Sequence, residues 1–287
     1  MSNPPRDALH FPQSDVQHIN PYLPPQSTRS HSTSPSSPPK PYVTLTFANS
    51  LDSSLSLSPG IQTALSGPQS KAMTHYLRSR HDAILIGCGT AIADDPSLNC
   101  RIDGVGGYGG AGLEGQPRPV VVDPNGRWDV SDASKVVKLA REGRGKGVWV
   151  VSAKGSISEE KKVVVESVGG EAFELEVVEG KMDWKKILNV LAKEGIRSVM
   201  IEGGGAVING LLSKENMGLV DSVIVTIAPV WLGKGGVQVC PDARVDDGKR
   251  VPVSRLRDVK WVPLGEDVVL CGRSIDAQAA ALESSSR

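Results

Sequence analysis

Five apolar runs divide the middle of the chain: AILIG, PVVVD, VWVVS, SVMIEGG and SVIVTIAP. Each is followed by a breaker or a helix-spaced segment. Runs without polar alternation suit strands buried on both faces. Parallel sheets are built that way, because their crossover helices cover each side. The intervening SDASKVVKLAREG, SEEKKVVVESVGG and DWKKILNVLAKEG have helical spacing, the last with Asp183 as N-cap and Gly195 just past its end. Ahead of them YVTLTFA alternates as a strand does, and Gly67-Pro68 opens a helix over PQSKAMTHYLRSRH. Near the end WVPLG and DVVLCGR read as a hairpin turning at Gly265, which makes the sheet mixed.

The 287 residues suffice for one large domain or two small ones, and scarce aromatics leave the core to Val, Ile, Leu and Ala. A formal net charge of zero argues against nucleic-acid and membrane-surface partners, yet permits a local basic pocket for a phosphorylated small molecule. Cys88, Cys100, Cys240 and Cys271 form no C-x-x-C pair and have no His-rich neighbourhood. We therefore expect no metal, reduced thiols and a cytoplasmic location. No apolar run approaches the roughly 20 residues needed to span a bilayer. Residues 1–40, rich in Pro and Ser, read as a disordered tail whose His10, His18 and His31 are solvated. The domain then covers 41–275, with a second disordered tail over 276–287. RIDGVGGYGGAGLEGQPRP, residues 101–119, reads as a mobile surface loop, with a phosphate cradle as the alternative. His75 and His81 read as helix-surface or capping residues, and Trp184 and Trp231 as core or interface aromatics.

Two glycine corners carry the chemistry. In SVMIEGGGAVINGLL a strand ends at Glu202, three glycines follow, and a helix begins near Ala206. Such a corner presents backbone N–H groups to an anion without a Cβ in the way. The NAD-type G-x-G-x-x-G pattern fails, since Ile208 holds the third glycine position. The second corner is Gly87-Cys88-Gly89-Thr90, also at a strand's carboxyl end. Two such corners in one sheet suit a dinucleotide. Asp95 before Pro96 reads as a turn residue, while Asp94 is free to accept hydrogen bonds from a ligand.

These residues resemble a known family. YVTLTFANSLDSSLSL, the G-x-G-T-x-x-A-D-D-P-x-L-x-x-R run from Gly87 to Arg101, RPVVVD, DWKKIL, IRSVMIEGGGAVINGLL and VDSVIVTIAPVWLG are similar in content and order to the fungal-type 2,5-diamino-6-ribosylamino-4(3H)-pyrimidinone 5′-phosphate reductases. The resemblance spans about Tyr42 to Arg273. It implies a dihydrofolate-reductase-like, three-layer α/β/α fold with a mixed, largely parallel sheet, a homodimer, NADPH as cofactor and a phosphorylated pyrimidine as substrate. It implies cofactor contacts at Asn49, Thr90, Asp94, Ser152, Gly203, Gly204, Gly205 and Ala206. It implies substrate contacts at Ser50, Arg78, Leu98, Arg101 and Glu202, with Asp52 and Glu202 in catalytic roles. Where many relatives read S-L-D-G-K, this chain reads Ser50-Leu51-Asp52-Ser53-Ser54, so no lysine acts there.

The reaction so implied reduces the ribosylamino side chain to ribitylamino in riboflavin biosynthesis. The sequence leaves the proton to Asp52, to Glu202 through water, or to solvent. Ser152 and Lys154 are candidates for the cofactor's 2′-phosphate. A pterin or dihydrofolate-type reductase, and a non-catalytic nucleotide-binding module, are the alternative readings.

Overall fold

The computed structural model describes residues 6–25, 40–177 and 182–275. Strands β1 (Tyr42–Asn49), β2 (Ala83–Gly87), β3 (Arg118–Val122), β4 (Trp149–Ala153), β5 (Glu171–Leu175), β6 (Ser198–Ile201), β7 (Ser222–Ile227), β8 (Leu256–Leu264) and β9 (Asp267–Ser274) form one nine-stranded sheet. Their spatial order is β8-β9-β7-β1-β6-β2-β3-β4-β5. From β7 to β5 all neighbours pair in parallel, while the β9 pairings with β7 and β8 are antiparallel. The chain leaves β1, lays β2 to β5 outward to one edge, and returns to fill the gap between β1 and β2 with β6. It then crosses to β7 on the far side of β1. Ligands collect where connections diverge in this manner, outside the carboxyl ends of the strands.

The helices are α1 (Gln13–Ile19), α2 (Pro68–Ser79), α3 (Cys88–Asp94), α4 (Lys135–Arg141), α5 (Glu159–Glu166), α6 (Trp184–Lys193) and α7 (Gly205–Leu211). Alternate strand residues serve opposite layers, which is why the strands read as unbroken apolar runs. Val43, Leu45, Leu85, Val120 and Ile201 pack with Ile187, Leu191 and Ile208 of α6 and α7. Ile84, Ile86, Val121 and Val150 pack with Val136, Val137 and Val165 of α4 and α5. Met200, Ile224 and Val269 pack with Met73 and Leu77 of α2. Asp183 caps α6 by accepting from Lys185 N at 2.8 Å, and Gly195 follows at φ +81°. Gly265 turns the β8–β9 hairpin at φ +67°.

Four expectations change. The first is the tail: residues 6–25 fold onto the domain. Phe11, Val16, Ile19, Tyr22 and Leu23 are buried against α2, β8 and β9, and Phe11 stacks on Tyr76 at 5.2 Å. Enough apolar residues sit at helical spacing there to offset the ordering cost that Pro and Ser suggested would dominate. His18 is no solvated residue, since Lys260 Nζ donates to its Nδ1 at 2.8 Å. Residues 26–39, 276–287 and His31 lie outside the described residues.

Second, the glycine-rich stretch is built around Tyr108, which is 0% exposed, and Gln116, whose side chain binds Cys100 N, Cys100 O and Gly106 O. Its glycines permit close packing: a Cβ on Gly107 would lie 2.8 Å from Arg144 Cα. Third, His75 and His81 are buried rather than on a helix surface, although His81 does cap α2 by binding a last-turn carbonyl. His81 Nδ1 donates to Leu77 O at 2.7 Å, so its Nε2 accepts from Thr44 Oγ1 at 2.8 Å. Fourth, the edge strand β5, EAFEL, was not among the strands expected, because its glutamates break the apolar run.

Candidate active site

A cleft of about 640 Å³ opens at the carboxyl ends of β1, β2, β6 and β7. Its floor carries Thr46, Phe47 and Ala48 of β1 and Thr226 of β7. One wall is Gly87, Gly89, Thr90 and Asp94, the other Glu202 to Val207. Residues 59–63, Thr74 of α2 and Val237 close the rim. The two glycine corners are therefore neighbours, and they are bonded: Gly204 N donates to Thr90 Oγ1 at 2.9 Å. Parallel pairing of β6 with β2, Ile201 opposite Leu85, brings them together.

Both corners need glycine for stated reasons. Gly203 has φ +145°, a conformation that a side chain disfavours. A Cβ on Gly87 would stand 2.8 Å from Val207 Cγ2, and one on Gly205 2.6 Å from Val237 Cγ1. The first N–H groups of a helix have no carbonyl within it to donate to, so Gly205 and Ala206 offer donors at the start of α7. Asp94 faces the cleft, and burial raises its carboxyl above the usual range while Lys135 opposes the shift. Asp95 stays in the turn at φ +39° and accepts from Lys135 N at 3.0 Å. A dinucleotide fits this lining: a Cβ-free corner with free donors, a hydroxyl and a carboxyl.

Glu202 projects from the end of β6, and its Oε2 lies 3.0 Å from Arg78 Nη2. Arg78 Nη1 also donates to Asn99 O at 3.1 Å, while Glu202 Oε1 is buried and has no partner among the described residues. Arg101 stands beside this pair. Its backbone N donates to His75 Nδ1 at 3.1 Å, and its Nη1 lies 3.6 Å from Asp7 of the N-terminal segment.

Other expected residues lie outside the cleft lining. Ser50 is fully buried, and its hydroxyl binds Asp52 and Ser54 O. Asp52 uses its carboxylate to accept from Leu232 N at 3.1 Å and Gly233 N at 2.7 Å, and these bonds, Ser50's first, lower its pKa. Asn49 donates to Ser50 O at 2.8 Å in the same knot. Leu98 is 1% exposed and packs with Ile84 and Ile86 rather than walling the cleft. Ser152 is fully buried on β4, two strands beyond β2. Lys154 sits on the surface, 3.5 Å from Glu176. Trp184 packs partly buried against the core, while Trp231 is 73% exposed. Sequence reasoning missed Thr46, Thr74 and Thr226, hydroxyls at strand ends or on a helix that nothing local distinguishes. Among the described residues no cluster of His, Cys, Asp and Glu could hold a metal, and no helix is long and apolar enough to cross a membrane.

Fold and cleft together define an α/β protein with a mixed, largely parallel sheet and a ligand-sized cleft at the carboxyl ends of its central strands. Residues 41–270 match the RibD C-terminal domain, and the chain belongs to that family of reductases. It is 38% identical over 237 residues to the 2,5-diamino-6-ribosylamino-4(3H)-pyrimidinone 5′-phosphate reductase of Saccharomyces cerevisiae, covering 82% of this chain and 88% of that one. It is 40% identical to the reductase of the same name from Kluyveromyces marxianus, covering 91% and 95%. The solved riboflavin biosynthesis reductase of S. cerevisiae superposes with a TM-score of 0.68 at 34% identity, covering 91% of this chain and all (100%) of that one. The bacterial RibD of Acinetobacter baumannii shares the fold, with a TM-score of 0.64 at 24% identity, covering 82% of this chain and 58% of that one.

Proposed function

We propose that this protein reduces 2,5-diamino-6-ribosylamino-4(3H)-pyrimidinone 5′-phosphate to its ribitylamino form, with NADPH as hydride source. The single observation that carries the reading is the bonded pair of glycine corners, Thr90 to Gly204 at 2.9 Å, with the Arg78–Glu202 pair at the same strand end. The substrate and its chemistry come from the names of the relatives, and the cleft lining supports the cofactor roles given below.

In this reading Gly203, Gly205 and Ala206 hold the cofactor's pyrophosphate through backbone N–H groups, and Gly204 shapes the corner between them. Thr90 fixes the Gly204 amide, and Asp94 accepts from the cofactor's neutral donors. When bound, the nicotinamide supplies a hydride to C1′ of the ring-opened imine form of the substrate. The substrate nitrogen then takes one proton. Glu202, oriented by Arg78, is the residue placed to hold a water or the substrate at that point. Asp52 is a poor donor, because its hydrogen bonds stabilise the ionised form. It serves instead to tie the 50–54 turn to the 230–233 loop beside the cleft. Arg101 anchors the substrate phosphate, since a guanidinium grips such a group with two parallel bonds. We extend the reading to a homodimer, as the family resemblance implies.

The test is loss of absorbance at the reduced-nicotinamide band with the authentic pyrimidine phosphate, NADPH and NADH in parallel. Substrate-dependent oxidation of NADPH is expected. Binding of NADPH without turnover, or turnover on a pterin instead, removes the proposal.

A further inference from the structure

A part-buried polar cluster beside α2 contains two arginines that share one carboxylate, Asp7. Arg101's guanidinium meets His75 Nε2 at 3.4 Å and Asp7 at 3.6 Å, both long contacts. The His75 contact is not an acceptor for it. Burial, then Arg78, Arg101 and Lys71, depress His75 to a pKa of about 2, so the ring is neutral and accepts at one nitrogen only. That nitrogen is Nδ1, which takes the Arg101 backbone N–H at 3.1 Å. Nε2 then carries a hydrogen, so among the described residues the acceptor left to the Arg101 guanidinium is the Asp7 carboxylate, 3.6 Å away.

Arg144 is the second. Its guanidinium stacks on the Tyr108 ring at 4.8 Å, and its Nη2 donates to Tyr108 Oη at 2.8 Å and to the two Asp7 oxygens at 2.9 and 3.0 Å. Its Nη1 lies 3.6 Å from Glu142, and its buried Nε has no partner among the described residues. Tyr108 Oη accepts again from Asn99 Nδ2 at 3.0 Å, so its own hydrogen remains for an acceptor. Two guanidiniums converge on one carboxylate, and the Tyr108 hydroxyl is bonded to one of them, Arg144. A carboxylate offers two oxygens and one charge; a phosphomonoester offers three oxygens and nearly two charges.

Asp7 itself is held by a strap. Leu9 N donates to Arg101 O at 2.7 Å, Asp103 N donates to Leu9 O at 2.9 Å, and Phe11 lies on Tyr76. The strap thus registers Asp7 on both arginines by backbone bonds two residues away.

We propose that Arg101, Arg144 and the Tyr108 hydroxyl form a seat for a phosphomonoester, and that the Asp7 carboxylate is its built-in competitor. This rests on the reductase reading above for its natural ligand, the substrate's 5′-phosphate; the cofactor's 2′-phosphate has the same chemistry. Entry of the phosphate exchanges Asp7 for a ligand that serves both guanidiniums, and frees the strap's first residues. Arg144 is then a specificity residue for phosphorylated substrate, and the glycine-rich stretch is the shelf that holds Tyr108 beneath it.

The test is calorimetric titration of the full chain with ribose 5-phosphate and, separately, adenosine 2′-phosphate, alongside steady-state kinetics. Asp7→Asn should tighten ribose 5-phosphate about five- to tenfold and lower the pyrimidine KM by a like factor, leaving the NADPH KM within about twofold. Arg144→Gln should weaken ribose 5-phosphate about tenfold or more. The same responses for adenosine 2′-phosphate alone keep the seat and assign it to the cofactor. Unchanged or weaker binding of both probes by Asp7→Asn overturns the proposal and leaves Asp7 a structural tie. The Asp7 side chain is 44% exposed, so this variant decides even if Arg144→Gln does not fold. Titration needs no turnover: a failed reductase assay leaves it readable, and failed titration with turnover intact removes the seat alone.

Discussion

Arg78 Nη2 and Glu202 Oε2 lie 3.0 Å apart, joining the last turn of α2 to the end of β6. The side chains are only 12% and 21% exposed, so each charge depends on the other. Removing the arginine leaves a carboxylate in the cleft with neither oxygen held. Arg78→Ala should lower kcat/KM for the pyrimidine about 10- to 100-fold, as expected for loss of a charge-assisted bond. NADPH affinity should stay within about twofold, which fluorescence titration checks.

Thr90 Oγ1 is the acceptor that fixes Gly204 N. Thr90→Val keeps the shape and removes the acceptor. The freed amide shifts the corner that holds the dinucleotide, so the NADPH KM should rise about tenfold while the pyrimidine KM changes less. Equal rises in both would detach Thr90 from the cofactor.

Gly205 packs its backbone against Val237, the residue paired with Ser56 in a small ribbon at the cleft rim. Gly205→Ala puts a methyl 2.6 Å from Val237 Cγ1. Overpacking of this size costs about 1–3 kcal/mol. Denaturant unfolding should show that loss, and NADPH binding should weaken with it. A Gly205→Ala, Val237→Ala double variant should recover most of the stability.

His75 and His81 give the pH dependence of stability. Burial leads the shift in each, taking His75 to about 2 and His81 to about 4 from 6.5. The unfolded chain binds these protons below pH 6.5, while the folded chain does not until its own lower values. Stability from this source is therefore complete above pH 6.5 and lost as pH falls. His81 contributes down to about pH 4 and His75 down to about pH 2. Each adds a slope of roughly 1.4 kcal/mol per pH unit within its window. Urea unfolding between pH 7 and 5 should show a shallower slope in His81→Gln than in the parent chain.

The N-terminal helix is part of the core. Ile19 is 0% exposed among Met73, Leu77 and Val262. Ile19→Ala should cost about 2–5 kcal/mol. A chain beginning at residue 40 should expose the apolar face of α2 and β9 and lose stability by a similar or larger amount; thermal unfolding decides. An unchanged midpoint would show that the segment docks without stabilising.

Much of this was legible beforehand. AILIG, PVVVD, VWVVS, SVMI and SVIVTI are strands because parallel neighbours bury both faces, and unbroken apolar runs record that. Asp183 and Gly195 bracket α6 through local hydrogen bonding and φ alone. β5 escaped notice because an edge strand faces water at Glu171 and Glu174. The N-terminal helix escaped because its short apolar stripe lies within a Pro- and Ser-rich composition. Of the site, Thr90, Asp94, Glu202 and the three glycines meet in the cleft. Ser50, Asp52 and Leu98 have motif positions beside it and side chains committed elsewhere, while Ser152 is buried two strands beyond β2 with its hydroxyl unpartnered among the described residues.

Local chemistry along the chain sets the alternation of strand and helix, the two glycine corners and the mixed edge. Periodicity, turn chemistry and apolar runs act over a few residues and leave their mark there. Folding in three dimensions settles which corner touches which, that Arg78 serves Glu202 across 124 positions, and that Asp7 reaches Arg144 across 137. Those contacts depend on strand order and on an N-terminal strap finding its groove. Both are set by packing between segments far apart in the chain, which no local pattern encodes.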